Sequence, residues 1–201
     1  MSRFKVPRIR ISIPFLLLIC LLYVGDLQNV FVPTMIAVCI HELGHITAIM
    51  FCGGTIEEVD IKIFGARIFV PELAVMPYRS EIIIAAAGPA AGLLTAVCSA
   101  AAAKFFKIEI SDYFIGINIV ISAINMIPVY PLDGGRITLS TALLLFSLRC
   151  ANIIYCIMAS VSAASGIALC IALAMHGALN PTIVIFTTYV AVCAVTLRPR
   201  I

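Results

Sequence analysis

The sequence predicts an all-α integral membrane protein of about six transmembrane helices, with a small β-hairpin between the second and the third. Three observations predict it. Hydrophobic residues fill 63% of the chain and charged residues 11%, at a mean hydropathy of +1.15, which leaves too little polar surface for a soluble domain. The apolar residues are gathered into runs that approach the length of a membrane crossing. The basic residues between those runs are dense on one side and sparse on the other.

The runs are Ile11 to Val24, Val30 to Cys52, Ile82 to Ala103, Tyr113 to Pro131, Ala151 to Met175 and Pro181 to Leu197. The first follows Arg3, Lys5, Arg8 and Arg10 in the manner of a signal peptide. With no small-residue cleavage site after it and another apolar run following, it reads as a retained anchor. A further stretch, Ile137 to Leu148, rises only about 18 Å as a helix and lies between Arg136 and Arg149, so it reads as a half-helix. With six crossings, eleven Lys and Arg fall on one side and only Lys104 and Lys107 on the other. Cationic loops stay in the cytoplasm, which puts both termini there.

Between the second and third runs, Val59, Ile61 and Ile63 alternate with Asp60 and Lys62, and Phe64-Gly65-Ala66 supplies a turn into Arg67 to Val70. This is the predicted hairpin, within Gly53 to Arg79. The formal charge of +3 is spread by membrane side and not gathered in a patch, so nothing supports nucleic-acid binding. The eight cysteines form no CxxC pair and read as small hydrophobes.

Acidic side chains are costly in hydrocarbon, so their positions are informative. Eight of the ten lie in loops or at the ends of runs; Glu42 and Asp133 do not. Glu42 sits in the middle of the second run, in His41-Glu42-Leu43-Gly44-His45. Histidines at i and i+4 project from one helix face and can reach a single Zn²⁺, with the glutamate beside it as general base. The plain alternative is a helix whose His and Glu only bond to neighbouring helices. A third ligand is needed from elsewhere. His176 lies beyond the fifth run at the interface, whereas Asp133 lies within a stretch broken by Pro128, Pro131, Gly134 and Gly135, where irregular backbone can line a wet cavity.

The pair of motifs, HELGH on one membrane helix and Asn125-x-x-Pro128-x-x-Pro131-Leu132-Asp133-Gly134-Gly135-Arg136 on a later one, resembles the site-2 protease family of intramembrane zinc metalloproteases. The resemblance runs from the second run through the fourth and is to a compact type without PDZ or CBS domain, similar to the sporulation-type branch. It implies a single membrane-embedded metalloprotease domain over 1–201, one zinc ion per chain held by His41, His45 and Asp133, Glu42 as catalytic base, and Asn125 in substrate binding. Members often carry Gly-Pro-x-x-Asn between the motifs; here Gly88-Pro89-Ala90-Ala91-Gly92 has Gly in place of the Asn.

The expected activity is hydrolysis of peptide bonds in or near transmembrane segments of membrane-anchored proteins, with a product released to the cytoplasm from a bacterial plasma membrane. The expected partners are that substrate and the lipid bilayer, with the Val59 to Ile63 strand offering an edge to the unwinding substrate. The competing classes are a metal-binding membrane transporter, which would leave Glu42 without a task, and a proteolytically silent adaptor of the same fold.

Overall fold

The computed structural model describes residues 8–26, 29–62, 65–72, 76–107 and 112–196. In chain order these form β1 (Arg8–Ile11), α1 (Ile13–Val24), α2 (Phe31–Phe51), β2 (Glu58–Lys62), β3 (Gly65–Phe69), α3 (Tyr78–Phe106), α4 (Asp112–Asn125), α5 (Asp133–Leu145), α6 (Leu148–Met175) and α7 (Pro181–Thr196). The chain divides into two compact units, Met1–Ser122 and Ala123–Ile201.

The first unit is organised around α2 and α3. The Asp26 carboxylate starts α2 by accepting the Val30 and Phe31 N–H groups at 3.0 and 2.8 Å, which satisfies donors that a helix start leaves open. Its far end closes on Gly53, whose φ of 81° only glycine adopts without strain. The Gly53 N–H then reaches Met50 O and the Gly54 N–H reaches Ile49 O, at 3.1 and 2.9 Å, the two bonds of a Schellman cap.

Along their length α2 and α3 approach through small residues: a Cβ added at Gly44 would lie 2.5 Å from Ala87 O and 2.9 Å from Ala91 Cβ. Association of helices in lipid depends on such close contact, because burial in hydrocarbon offers no gain over hydrocarbon. Toward the end of α2, Ala48, Ile49 and Ile84 bury with Val70 against Ile56, Ile68 and Met76, which seats the sheet on the helix pair.

The hairpin is present, with β2 and β3 antiparallel and Val59 opposite Ile68; Ile63 and Phe64 of its turn lie outside the described residues. The sheet also holds a third strand that sequence reading did not assign. β1 runs parallel to β2, Arg8 opposite Glu58 and Ile11 opposite Ile61, and Arg10 meets Glu58 at 3.1 Å. The order β1-β2-β3 makes β2 the central strand. The expectation that this strand offers an edge to a substrate is therefore not met: both its edges are paired, and the outer edges belong to β1 and β3. At the base of the hairpin the Thr55 hydroxyl and N–H donate to Glu72. The Thr55 hydroxyl, followed by backbone N–H groups, holds the Glu72 carboxyl below the ordinary range.

The second unit packs α5, α6 and α7 around Val129, Leu139, Tyr155, Ala159, Val190 and Cys193. α6 ends in a second Schellman cap, with His176 as C-cap and Gly177 at φ 65°. His176 is exposed there.

Among the described residues three helices are long and apolar enough to cross a membrane: α2, α3 and α6. α1, α4 and α7 are apolar but shorter, at 12, 14 and 16 residues. The fourth expected span stops as a helix at Asn125 instead of Pro131, because Pro128 and Pro131 cannot continue it. The expected half-helix is present as α5, but it starts at Asp133 itself and not at Ile137.

Gly44→Ala should force α2 and α3 apart at a backbone contact and cost about 1–3 kcal/mol. The check is the thermal unfolding midpoint of the purified protein in detergent, expected to fall.

Candidate metal centre

His41 lies midway along the 21-residue α2, so its imidazole is placed at the depth of the helix centre. Both histidines of the motif are buried, at 5% and 7% exposure, while Glu42 between them is half-buried. The i,i+4 spacing stacks the two side chains on one face, with ring centroids 4.8 Å apart and nearly perpendicular planes. Their Nε2 atoms face each other at 3.1 Å.

The proton on His45 is placed by its partner. Nδ1 lies 2.7 Å from the Ile84 carbonyl oxygen of α3, and a carbonyl only accepts, so Nδ1 carries the N–H. In the neutral ring Nε2 then presents a lone pair toward His41. Two nitrogens bound at about 2.0–2.1 Å to one tetrahedral ion stand about 3.3 Å apart. The observed 3.1 Å is close to that spacing. A ring N–H fixed by a backbone carbonyl is also the usual outer support of a metal-ligating histidine.

α3 is shaped to this pair. A Cβ at Gly88 would run into His45 Nε2 and lie 2.9 Å from His41 Nε2, so the glycine leaves room for the two imidazoles. Pro89 follows inside the helix; its missing N–H takes the i−4 donor from the Ala85 carbonyl, the residue after Ile84, and so loosens the helix there.

In the second unit Asp133 is the first residue of α5 and 7% exposed. The start of a helix brings open N–H groups and the positive end of the helix dipole to such a carboxylate, and Arg136 Nη1 lies 3.7 Å from its Oδ1. Gly134 and Gly135 are required by the backbone that precedes them. A Cβ at Gly134 would collide with the Met126 carbonyl and stand 2.6 Å from Ile127 O, and one at Gly135 would meet Tyr130 N. Asn125 is the last residue of α4 and half-buried.

The chemistry on offer is thus two buried imidazoles with a carboxylate beside them on one helix, and a buried carboxylate at the start of another. Sequence reading did not assign the Ile84 carbonyl as the partner of His45, because a backbone acceptor has no residue-type signature. Gly88 was visible only as part of a Gly-Pro pair, and Arg136 only as the end of the second motif and one of the counted basic residues, not as the partner of Asp133.

No family model matches the chain. A zinc metalloprotease of Methanocaldococcus jannaschii is 29% identical over 112 residues, covering 53% of this chain and 32% of that protein. Stage IV sporulation protein FB of Bacillus subtilis is 31% identical over 105 residues, covering 51% of this chain and 36% of that protein. The chain thus spans about a third of the length of these relatives. A solved site-2 protease from Methanocaldococcus jannaschii shares the fold, with a TM-score of 0.59 at 23% identity, over 100% of this chain and 98% of that one.

Gly88→Ala should displace both imidazoles and weaken metal binding about 10-fold or more while the helices remain. Competitive zinc titration alongside far-ultraviolet circular dichroism separates the two effects.

Proposed function

We propose that this chain, which belongs to the site-2 protease family, is an intramembrane zinc metalloendopeptidase. It cleaves peptide bonds in or near the transmembrane segments of membrane-anchored proteins. The observation that carries the reading is the facing pair of Nε2 atoms, 3.1 Å apart, on a helix long enough to span a bilayer. Glu42 stands between the two histidines in the chain.

In this reading His41, His45 and Asp133 hold one zinc ion, a donor set of two imidazoles and a carboxylate that suits this metal. When bound, the ion supplies Lewis acidity, lowering the pKa of a water molecule toward about 7 and polarising a peptide carbonyl. Glu42 takes the proton from the attacking water and delivers it to the leaving amine. Arg136, beside the Asp133 carboxylate, and Ile84, through its carbonyl on His45, orient the ligands. Asn125 binds the substrate backbone. The peptide bond reaches this machinery only after its helix unwinds, because a helical carbonyl is already hydrogen-bonded and enclosed.

The remaining topology belongs to the same proposal. α1, α4 and α7 complete six crossings with their flanking residues, and both units form one membrane-embedded domain. The eleven-to-two division of Lys and Arg puts both termini in the cytoplasm of a bacterial cell, and the product leaves on that side.

Glu42→Gln should keep zinc at one per chain and lower cleavage of a membrane-anchored reporter at least about 100-fold. Removing zinc with a chelator should abolish cleavage by the parent, and added zinc should restore it. Metal analysis and reporter cleavage on the purified proteins make the check. Equal cleavage by Glu42→Gln and parent would overturn the enzymatic reading.

A further inference from the structure

We propose that Tyr155, on α6 and outside both motifs, is a positioning residue for the Asp133 carboxylate; the proposal rests on the reading of Asp133 as a metal ligand. The run 126–132 leads into α5 and determines where its first residue, Asp133, stands. Most of the backbone donors in that run are used locally. Met126 N–H reaches Ala123 O at 3.2 Å, Ile127 N–H reaches Ile124 O at 3.1 Å, Val129 N–H reaches Ile127 O at 2.8 Å, and Leu132 N–H reaches Val129 O at 2.9 Å. Pro128 and Pro131 have no N–H to donate.

The Tyr130 N–H instead leaves the run and donates to the Tyr155 hydroxyl oxygen at 2.9 Å. Tyr155 is 2% exposed, and its ring shares a core with Val129, which is 1% exposed, and with Leu139 and Ala159. The run is therefore tied to Tyr155 at two adjacent residues, through the core it shares with Val129 and by the hydrogen bond at Tyr130.

Little slack separates that hold from Asp133. Pro131 fixes one of the intervening φ angles. The run also lies directly on the first turn of α5, since a Cβ at Gly135 would collide with Tyr130 N and stand 2.5 Å from Val129 C. A displacement of Tyr130 is thus carried into the turn that bears Asp133. Without the hydroxyl, the Tyr130 N–H loses the acceptor that Tyr155 brings to it, and the run is released to shift toward another.

The test uses the full-length protein in detergent, with Tyr155→Phe, which keeps the ring and removes the oxygen. Thr187→Val is the comparison, because it removes a buried hydroxyl contact with Cys170 Sγ, at 3.4 Å, in the same unit but away from the run. Zinc affinity by competitive titration and the visible absorption of the cobalt(II)-substituted protein are the readouts. Tyr155→Phe should bind zinc about 10-fold more weakly and shift the cobalt bands, with unchanged circular dichroism, while Thr187→Val matches the parent in both.

A 3-fluorotyrosine at position 155, a weaker acceptor of nearly the same shape, should give a smaller shift in the same direction. That substitution keeps the test decisive if the phenylalanine variant does not fold. Parental affinity and spectrum in Tyr155→Phe, or an equal loss in Thr187→Val, overturns the proposal. Asp133→Asn tests the underlying reading separately: if it keeps the parental affinity and spectrum, Asp133 is not a ligand, and the positioning role falls with it.

Discussion

Hydrocarbon does not solvate charge or lone pairs, and every polar group placed in it needs a partner built by the chain. The features around the two motifs follow from that constraint. His45 is provided with the Ile84 carbonyl, His41 and His45 face each other, and Asp133 has a helix N-terminus and Arg136. The same requirement operates away from the site. Asn118 Nδ2 donates to Phe114 O at 2.8 Å and the Ser122 hydroxyl to Asn118 O at 2.7 Å, which returns these donors to their own helix, while the buried Asn118 Oδ1 is left without a hydrogen-bond partner among the described residues.

Partners must be close to be useful, and in lipid closeness comes from small residues. Glycine appears where the approach is tightest. Gly44 lets the backbone of α2 meet α3, Gly88 makes room for two imidazoles, and Gly134 and Gly135 admit the run 126–132 against α5. Each of these glycines is next to or within a motif that carries a titratable group. The motifs therefore specify packing as well as chemistry: an alanine at Gly88 would leave every donor atom in the chain and still obstruct the pair.

The legible parts of the molecule were those with a strong period or a strong penalty. HELGH was readable because His and Glu in an apolar run have few innocent explanations, and the hairpin because Val59, Ile61 and Ile63 alternate. β1 was missed because Arg8-Ile9-Arg10-Ile11, although also alternating, is only four residues long and reads first as the charged flank of an apolar run. Missing it made β2 look like an edge. The start of α5 was misplaced by four residues because two glycines suggested continued loop, whereas here they are demanded by backbone contacts that only tertiary structure reveals. Short helices were the third difficulty: hydropathy registers apolar length and is blind to where a helix stops, as α4 does before Pro128.

The five residues of the first motif can be read around the axis of α2, about 100° apart. His41 and His45 are about 40° from each other and lie against Gly88. Gly44, about 60° to one side of His41, meets Ala87 and Ala91, so α3 covers that sector. Leu43 points the opposite way and is 56% exposed, as a lipid-facing residue should be. Glu42 falls between, about 100° from His41 on the side away from Gly44, and is half-buried where both histidines are buried. α3 thus covers the histidine face of α2 and leaves the flank bearing the Glu42 carboxylate less covered. Within the first unit, the two histidines are thus packed against small residues of α3, while Glu42 lies outside that contact.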